Sequence, residues 1–188
     1  CNANPEDEMS PTRREVLATG VALAAAPSWG MKRGATMSVL DNHDSLGLAA
    51  LVHKKEVSPG ELLEAAIARA EALNPRFNFM AQRHYDRARR AVADGLPDGP
   101  FKGVPWLIKD LNTYIAGEVT ENGSRLYKGY RPSVTSELVK RIERAGFVIF
   151  GKTASPEFGF TATTENKLTG DTRNPWNPER IAGGASGG

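Results

Sequence analysis

The chain has 188 residues, 40% hydrophobic and 24% charged, the usual mix of a globular domain, which excludes collagenous, disordered and disulfide-scaffold classes. With 24 Lys+Arg against 22 Asp+Glu, the net charge of +2 is too balanced to mark a nucleic-acid or anionic-membrane partner. A mean hydropathy of −0.40 and the lack of an apolar run near the ~18 residues that cross a bilayer argue against a membrane span.

Residues 1–40 read as an N-terminal extension. Thr12-Arg13-Arg14, then Val16-Leu17 and an Ala-rich stretch to Ala26, resemble a twin-arginine export signal over about 9–28. Pro27 after Ala26 disfavours cleavage there, so Ala22-Leu23-Ala24 is the expected recognition site, and the protein would be periplasmic or exported from a start at Met9. The alternatives are an upstream extension of the reading frame or a frayed helix, and a start at Met37 would leave a cytoplasmic protein. Cys1, the single cysteine, has no internal disulfide partner and leaves a lipidated terminus open.

Residues 41–188 read as the folded part. A short helix is expected over Leu46 to Val52. Ser58-Pro59-Gly60-Glu61 has a capping Ser, a Pro at the first helical position and a Glu at the third, so it starts a helix. Leu62, Leu63, Ala66, Ile67, Ala70 and Leu73 give that helix one apolar face, and Asn74-Pro75 is expected to end it. His84 to Ala93 reads as a charged helix stopped by Gly95, with Arg87, Arg89 and Arg90 on a solvated face. Gly103 to Ile108 suits a buried strand that ends at Lys109-Asp110. A helix is expected from about Val134 to Ala145, with Leu138, Ile142 and Ala145 on one face. Phe147 to Phe150 is a second buried strand, and Gly151-Lys152-Thr153 leaves its end. Strand, helix and strand at this spacing predict a parallel βαβ unit, so Lys109 and Thr153 leave the same sheet edge, where open α/β folds place ligands.

Gly146 to Thr153 satisfies the Walker A pattern, yet the residues between its glycines are themselves the strand, so no phosphate-cradling loop is expected. Lys109 has two readings. A lysine ending an apolar strand is desolvated, which favours a neutral amine able to act as a base; it also serves as an ordinary end-of-strand charge, and Asp110 beside it opposes the shift. The terminal run Gly183-Gly184-Ala185-Ser186-Gly187-Gly188 either makes turns or presents backbone amides to an oxyanion. His43, His53 and His84 lack metal-ligand spacing, so no metal or other cofactor is expected. Glu157 and Arg173 are polar positions near these motifs that equally suit a loop ion-pair partner or a cap, and Trp106 and Trp176 read as packing residues rather than substrate platforms.

Five motifs occur in order: Gly103 to Asp110, Asn122-Gly123-Ser124, Gly151 to Thr153 with Glu157 to Gly159, Thr172 to Trp176, and Gly183 to Gly188. Together they resemble the amidase signature family from about Ser45 to Gly188. The resemblance implies an α/β fold with a mixed sheet sandwiched by helices, truncated at its C-terminus, and hydrolysis of carbon-nitrogen amide bonds by a Ser-Ser-Lys triad. Lys109 matches the family's base, acting toward a bridging serine that takes the proton of a nucleophilic serine. That nucleophile lies in a later Gly-Gly-Ser loop, so the chain is expected to be an inactive fragment. Where the family has Gly-Gly-Ser-Ser-Gly-Gly, Ala185 replaces the first serine, so either Ser186 or a water substitutes, with Ser186 the expected one, or the full-length enzyme is impaired; Ser186 equally suits a purely structural role in the loop. The implied partner is a small-molecule amide, with no nucleic acid and a homodimer left open. The alternatives are the glutamine-hydrolysing subunit of a tRNA-dependent amidotransferase and a non-catalytic remnant.

Overall fold

A computed structural model describes residues 38–185 and 187–188, so the expected export signal and Ser186 lie outside the described residues. Two short helices, α1 (Val39–Asn42) and α2 (Ser45–His53), lead into α3 (Pro59–Phe77). The expected capping box starts α3: the Ser58 hydroxyl accepts the Glu61 N–H, and the Glu61 carboxylate accepts the Ser58 N–H at 2.9 Å.

Contrary to expectation, Asn74-Pro75 does not end this helix, which runs to Phe77 with Asn78 in the left-handed conformation as its cap. Pro75 removes only the bond to the carbonyl of Glu71, an exposed residue. The turn beyond it buries Phe77, and the Asn74 side chain accepts the N–H of Met80 at 2.8 Å.

β1 (Met80–Arg83), which the sequence pattern does not predict, comes next, followed by α4 (Tyr85–Asp94), β2 (Pro105–Lys109), α5 (Glu137–Arg144) and β3 (Val148–Thr153). The sheet order is β1-β3-β2, with β2 parallel and β1 antiparallel to the central β3. This is a mixed sheet. A hairpin of β4 (Glu165–Asn166) and β5 (Gly170–Asp171) stands apart from it.

Helices cover both faces of the sheet. Leu63, Ile67 and Ala70 of α3 and Ala88 of α4 pack with Met80, Val148 and Phe150, whereas Val139 of α5 packs with Ile108, Ile115 and Ile149. Two details of α5 differ from the sequence reading. It starts at Glu137 rather than Val134, because the preceding segment is held extended: Ser136 N–H bonds the Tyr114 carbonyl at 3.0 Å and Thr135 accepts from Ala116 at 3.0 Å. Its inward residue is Val139, with Leu138 57% exposed and Ile142 partly buried. Helical periodicity constrains such a face only to within one residue, and the neighbours Ile108 and Ile149 select the rotation.

Strand β3 also extends past the apolar run to Thr153, since Gly151, Lys152 and Thr153 pair on both sides with β1 and β2. The Walker-like stretch is therefore a turn and a strand, as expected. Trp106 packs against Phe147 with ring centroids 4.6 Å apart, but Trp176, expected to pack, is 95% exposed on a turn held by Asn174.

Candidate active site

Lys109 is the last residue of β2 and is paired in register with Thr153 of β3. The parallel pairing thus delivers both residues to one sheet edge, as the βαβ spacing predicts. Burial pushes the half-buried Lys109 amine below its ordinary range.

Asp110, expected to oppose this shift, turns inward and is 1% exposed. Its carboxylate accepts the Glu121 N–H at 3.2 Å and lies 3.9 Å from the fully buried ammonium of Lys152. Burial drives the Asp110 carboxyl up, with Lys152 pulling the other way, and lowers the Lys152 amine to about 8. Lys152 also donates to the Thr120 hydroxyl.

Next to this pair, Nδ1 of His84 lies 3.1 Å from Glu118, and burial holds the imidazole below its ordinary range. The sequence reading missed this cluster. A lysine directly after an apolar run is its one local signal, and reading the strand as ending at Phe150 places Lys152 beyond it, whereas the strand runs on to Thr153.

The other motifs close around the same edge. Ser155 donates to the Asp110 carbonyl at 3.1 Å, and the Phe158 N–H bonds the Asn122 carbonyl at 2.9 Å. Ser124 donates to the Glu157 carboxylate at 2.5 Å, so Glu157 ties two motifs together, while Arg173 pairs with Asp171 at 3.5 Å on the surface. Gly123 has φ +64°, and a Cβ there would lie 2.5 Å from the Ser155 carbonyl oxygen. Gly123→Ala is accordingly expected to cost about 2–4 kcal/mol in urea unfolding, combining left-handed strain with a backbone clash.

The described residues of the glycine loop are held on both sides of Ser186. The Gly183 carbonyl accepts the Thr164 hydroxyl at 2.9 Å, and Gly184 donates to the Ala162 carbonyl at 2.7 Å. The Gly184–Ala185 peptide is cis. The Ala185 methyl stands 3.8 Å from where Gly159 would carry a Cβ, and Gly187 lies against the Thr164 side chain with no room for a Cβ of its own. Gly188 donates to the Ala154 carbonyl at 3.3 Å, and a Cβ on it would fall 2.5 Å from the Thr153 Cβ. Lys109 and the end of the loop thus border the same residue, Thr153. The place of Ser186 between them lies outside the described residues.

Among the described residues, no group of three or more His, Cys, Asp or Glu side chains is placed to hold a metal. A cleft of about 390 Å³ lined by Arg83, His84, Arg87, Arg90 and Glu118 includes neither Lys109 nor the glycine loop. Arg83 and Arg87 are committed to Glu71 and Glu143, so much of the cleft's positive charge is matched internally.

The sequence model of the Amidase family matches residues 61–188. The chain is 44% identical over 147 residues to a 6-aminohexanoate-cyclic-dimer hydrolase of Paenarthrobacter ureafaciens, covering 77% of this chain and 29% of that protein. It is 37% identical over 141 residues to a glutamyl-tRNA(Gln) amidotransferase subunit of Methylacidiphilum infernorum, covering 75% and 28%. The chain spans about three-tenths of the length of these relatives. The solved structure of a 6-aminohexanoate cyclic dimer hydrolase superposes with a TM-score of 0.73 at 42% identity, over 77% of this chain and 30% of that one. A bacterial aryl acylamidase of the amidase signature enzymes superposes with a TM-score of 0.71 at 34% identity, over 77% and 32%. With the mixed sheet, the strand-end lysine and the pinned glycine loop in place, this chain belongs to the amidase signature family.

Proposed function

We propose that this chain carries the general base and the bridging loop of an amide hydrolase of the Ser-Ser-Lys type, with its nucleophilic serine supplied by sequence beyond residue 188. The observation that carries the reading is the half-buried amine of Lys109 at the strand end, beside the residue against which the glycine loop closes. In this reading the neutral Lys109 amine accepts a proton from the Ser186 hydroxyl. Ser186 takes the proton of the nucleophile as that oxygen bonds to the substrate carbonyl carbon, and Lys109 returns the proton to the departing amine. The substrate is a small-molecule amide that approaches the carboxyl edge of the sheet.

Ala185 offers no hydroxyl of its own, which is why the relay falls to Ser186 or a water. Ala185→Ser in the catalytically complete protein is therefore expected to raise kcat/KM about tenfold, and an unchanged rate would show that the relay at 186 is already sufficient. The test of the whole reading is Lys109→Met assayed for amide hydrolysis, alongside a serine-directed fluorophosphonate probe on the 188-residue chain and on a version extended past Gly188. Labelling confined to the extended version supports the reading. Labelling of neither version favours a non-catalytic remnant.

The likeness to a tRNA-dependent amidotransferase supports a second reading, glutamine hydrolysis with ammonia passed to a partner. Stable partner subunits on purification favour it. An N-terminal export signal over 9–28 would oppose it, because charged tRNA is cytosolic; secretion of a reporter fused to residues 9–40 tests for that signal.

A further inference from the structure

Lys109 and Asp110 are consecutive, yet their surroundings are opposite. Lys109 is half-buried at the sheet edge, and Asp110 is 1% exposed beneath the 118–124 segment. A lone carboxylate one residue from a base is a liability, because its negative charge favours the protonated amine.

The structure does not leave that carboxylate alone. Lys152, paired with Ile108 across β2 and β3, brings its buried ammonium to 3.9 Å from Asp110 and is tethered by the Thr120 hydroxyl. A close opposite pair acts at a distance as a dipole, whose field falls off faster than that of a single charge. The other ionisable groups acting on the pair are Glu118 and Glu121 from the connection after β2. His84, ahead of α4, faces Glu118 and Lys152 in turn, with Arg87 of α4 behind it. Among the described residues, burial alone moves Lys109 itself.

We propose that Lys152 is a positioning residue for the candidate active site, compensating the charge of Asp110 so that the strand end presents Lys109 without a net negative neighbour. This rests on the reading of Lys109 as the base. Two buried groups that would each be costly alone are retained together next to the one lysine that must lose its proton.

The test is pH-dependent competitive acetylation of the lysine amines with mass-spectrometric readout, which follows the titration of Lys109 without any assay of activity. In Lys152→Met the Lys109 midpoint is expected to rise by about half to one pH unit. In Lys152→Met/Asp110→Asn, where both charges are gone, it returns to the wild-type value. A Lys109 midpoint that stays put in Lys152→Met, or one that rises and is not restored in the double variant, overturns the proposal and leaves Lys152 a purely structural group. If Lys152→Met does not fold, Asp110→Asn decides: the buried Lys152 amine then gives up its proton, one neutral site replaces another, and Lys109 stays within about 0.3 unit. A fall of a full unit in that variant shows that Asp110 acts on Lys109 uncompensated and overturns the proposal. Should Lys109→Met retain amide hydrolysis while these titration shifts appear, the assignment of the base fails and the compensating pair stands.

Discussion

Lys109→Met in the catalytically complete protein is expected to lose amide hydrolysis by about three orders of magnitude in kcat/KM, within the range of a removed general base. Methionine keeps the length and apolar stem of lysine, and Lys109 is only half-buried at a strand end, so thermal unfolding should shift little. Loss of rate without loss of fold separates a base from a structural charge. The wild-type rate should also rise with pH through the Lys109 titration, since the base works as the neutral amine and burial moves that titration below the ordinary range. Activity within threefold of wild type would remove Lys109 from the reaction.

Replacing Lys152 by Met is expected to destabilise the fold by about 3–5 kcal/mol, because it strands Asp110 as a buried carboxylate with no countercharge. Lys152→Met/Asp110→Leu leaves neither charge and should recover a large part of that loss, which a double-mutant cycle in urea measures.

The pH dependence has a definite sign. The Lys152 amine titrates at about 8 in the folded chain against an ordinary value of 10.5. Between these two values the unfolded chain binds more protons, so the contribution of Lys152 makes stability rise with pH across that window, and below about 8 the folded state bears the full cost of a buried ammonium. Lys152→Met should flatten this rise. If the variant keeps the same slope between these pH values, the lysine is not the titrating group.

The elements legible in the sequence were those whose signals are local. The Ser58–Glu61 capping box, the apolar face of α3 and the strands at the apolar runs before Lys109 and Thr153 each depend on residues a few positions apart, and each formed. But β2, expected to be buried from Gly103 to Ile108, is an outer strand over Pro105–Lys109 with Trp106 39% exposed and Ile108 its one buried residue. The parallel pairing of β2 and β3 followed from connection length, and with it the shared edge that holds Lys109 and Thr153. The family was readable for a different reason, because five short motifs keep their order even though no single one of them is informative.

What escaped the sequence depends on contacts between distant segments. β1 carries Met80 to Arg83, a stretch with no alternating pattern, and it is a strand because β3 offers an edge to pair with. Pro75 stays inside α3 because burial of Phe77 outweighs one hydrogen bond, and Val139 rather than Leu138 faces inward because Ile108 and Ile149 lie where they do. Trp176 reads as a packing residue by type and stands in solvent for want of a neighbouring surface among the described residues.

The sequence alone therefore determined the family, the βαβ edge and Lys109 as the residue to test, since these rest on chain-local patterns and their order. Only the tertiary structure decided that Asp110 turns away from Lys109 to meet Lys152, and that the glycine loop closes on Thr153. Burial and pairing of charges are set by which segments pack together, and a lysine in a strand carries no local mark of the carboxylate, 42 positions earlier in the sequence, that it will neutralise.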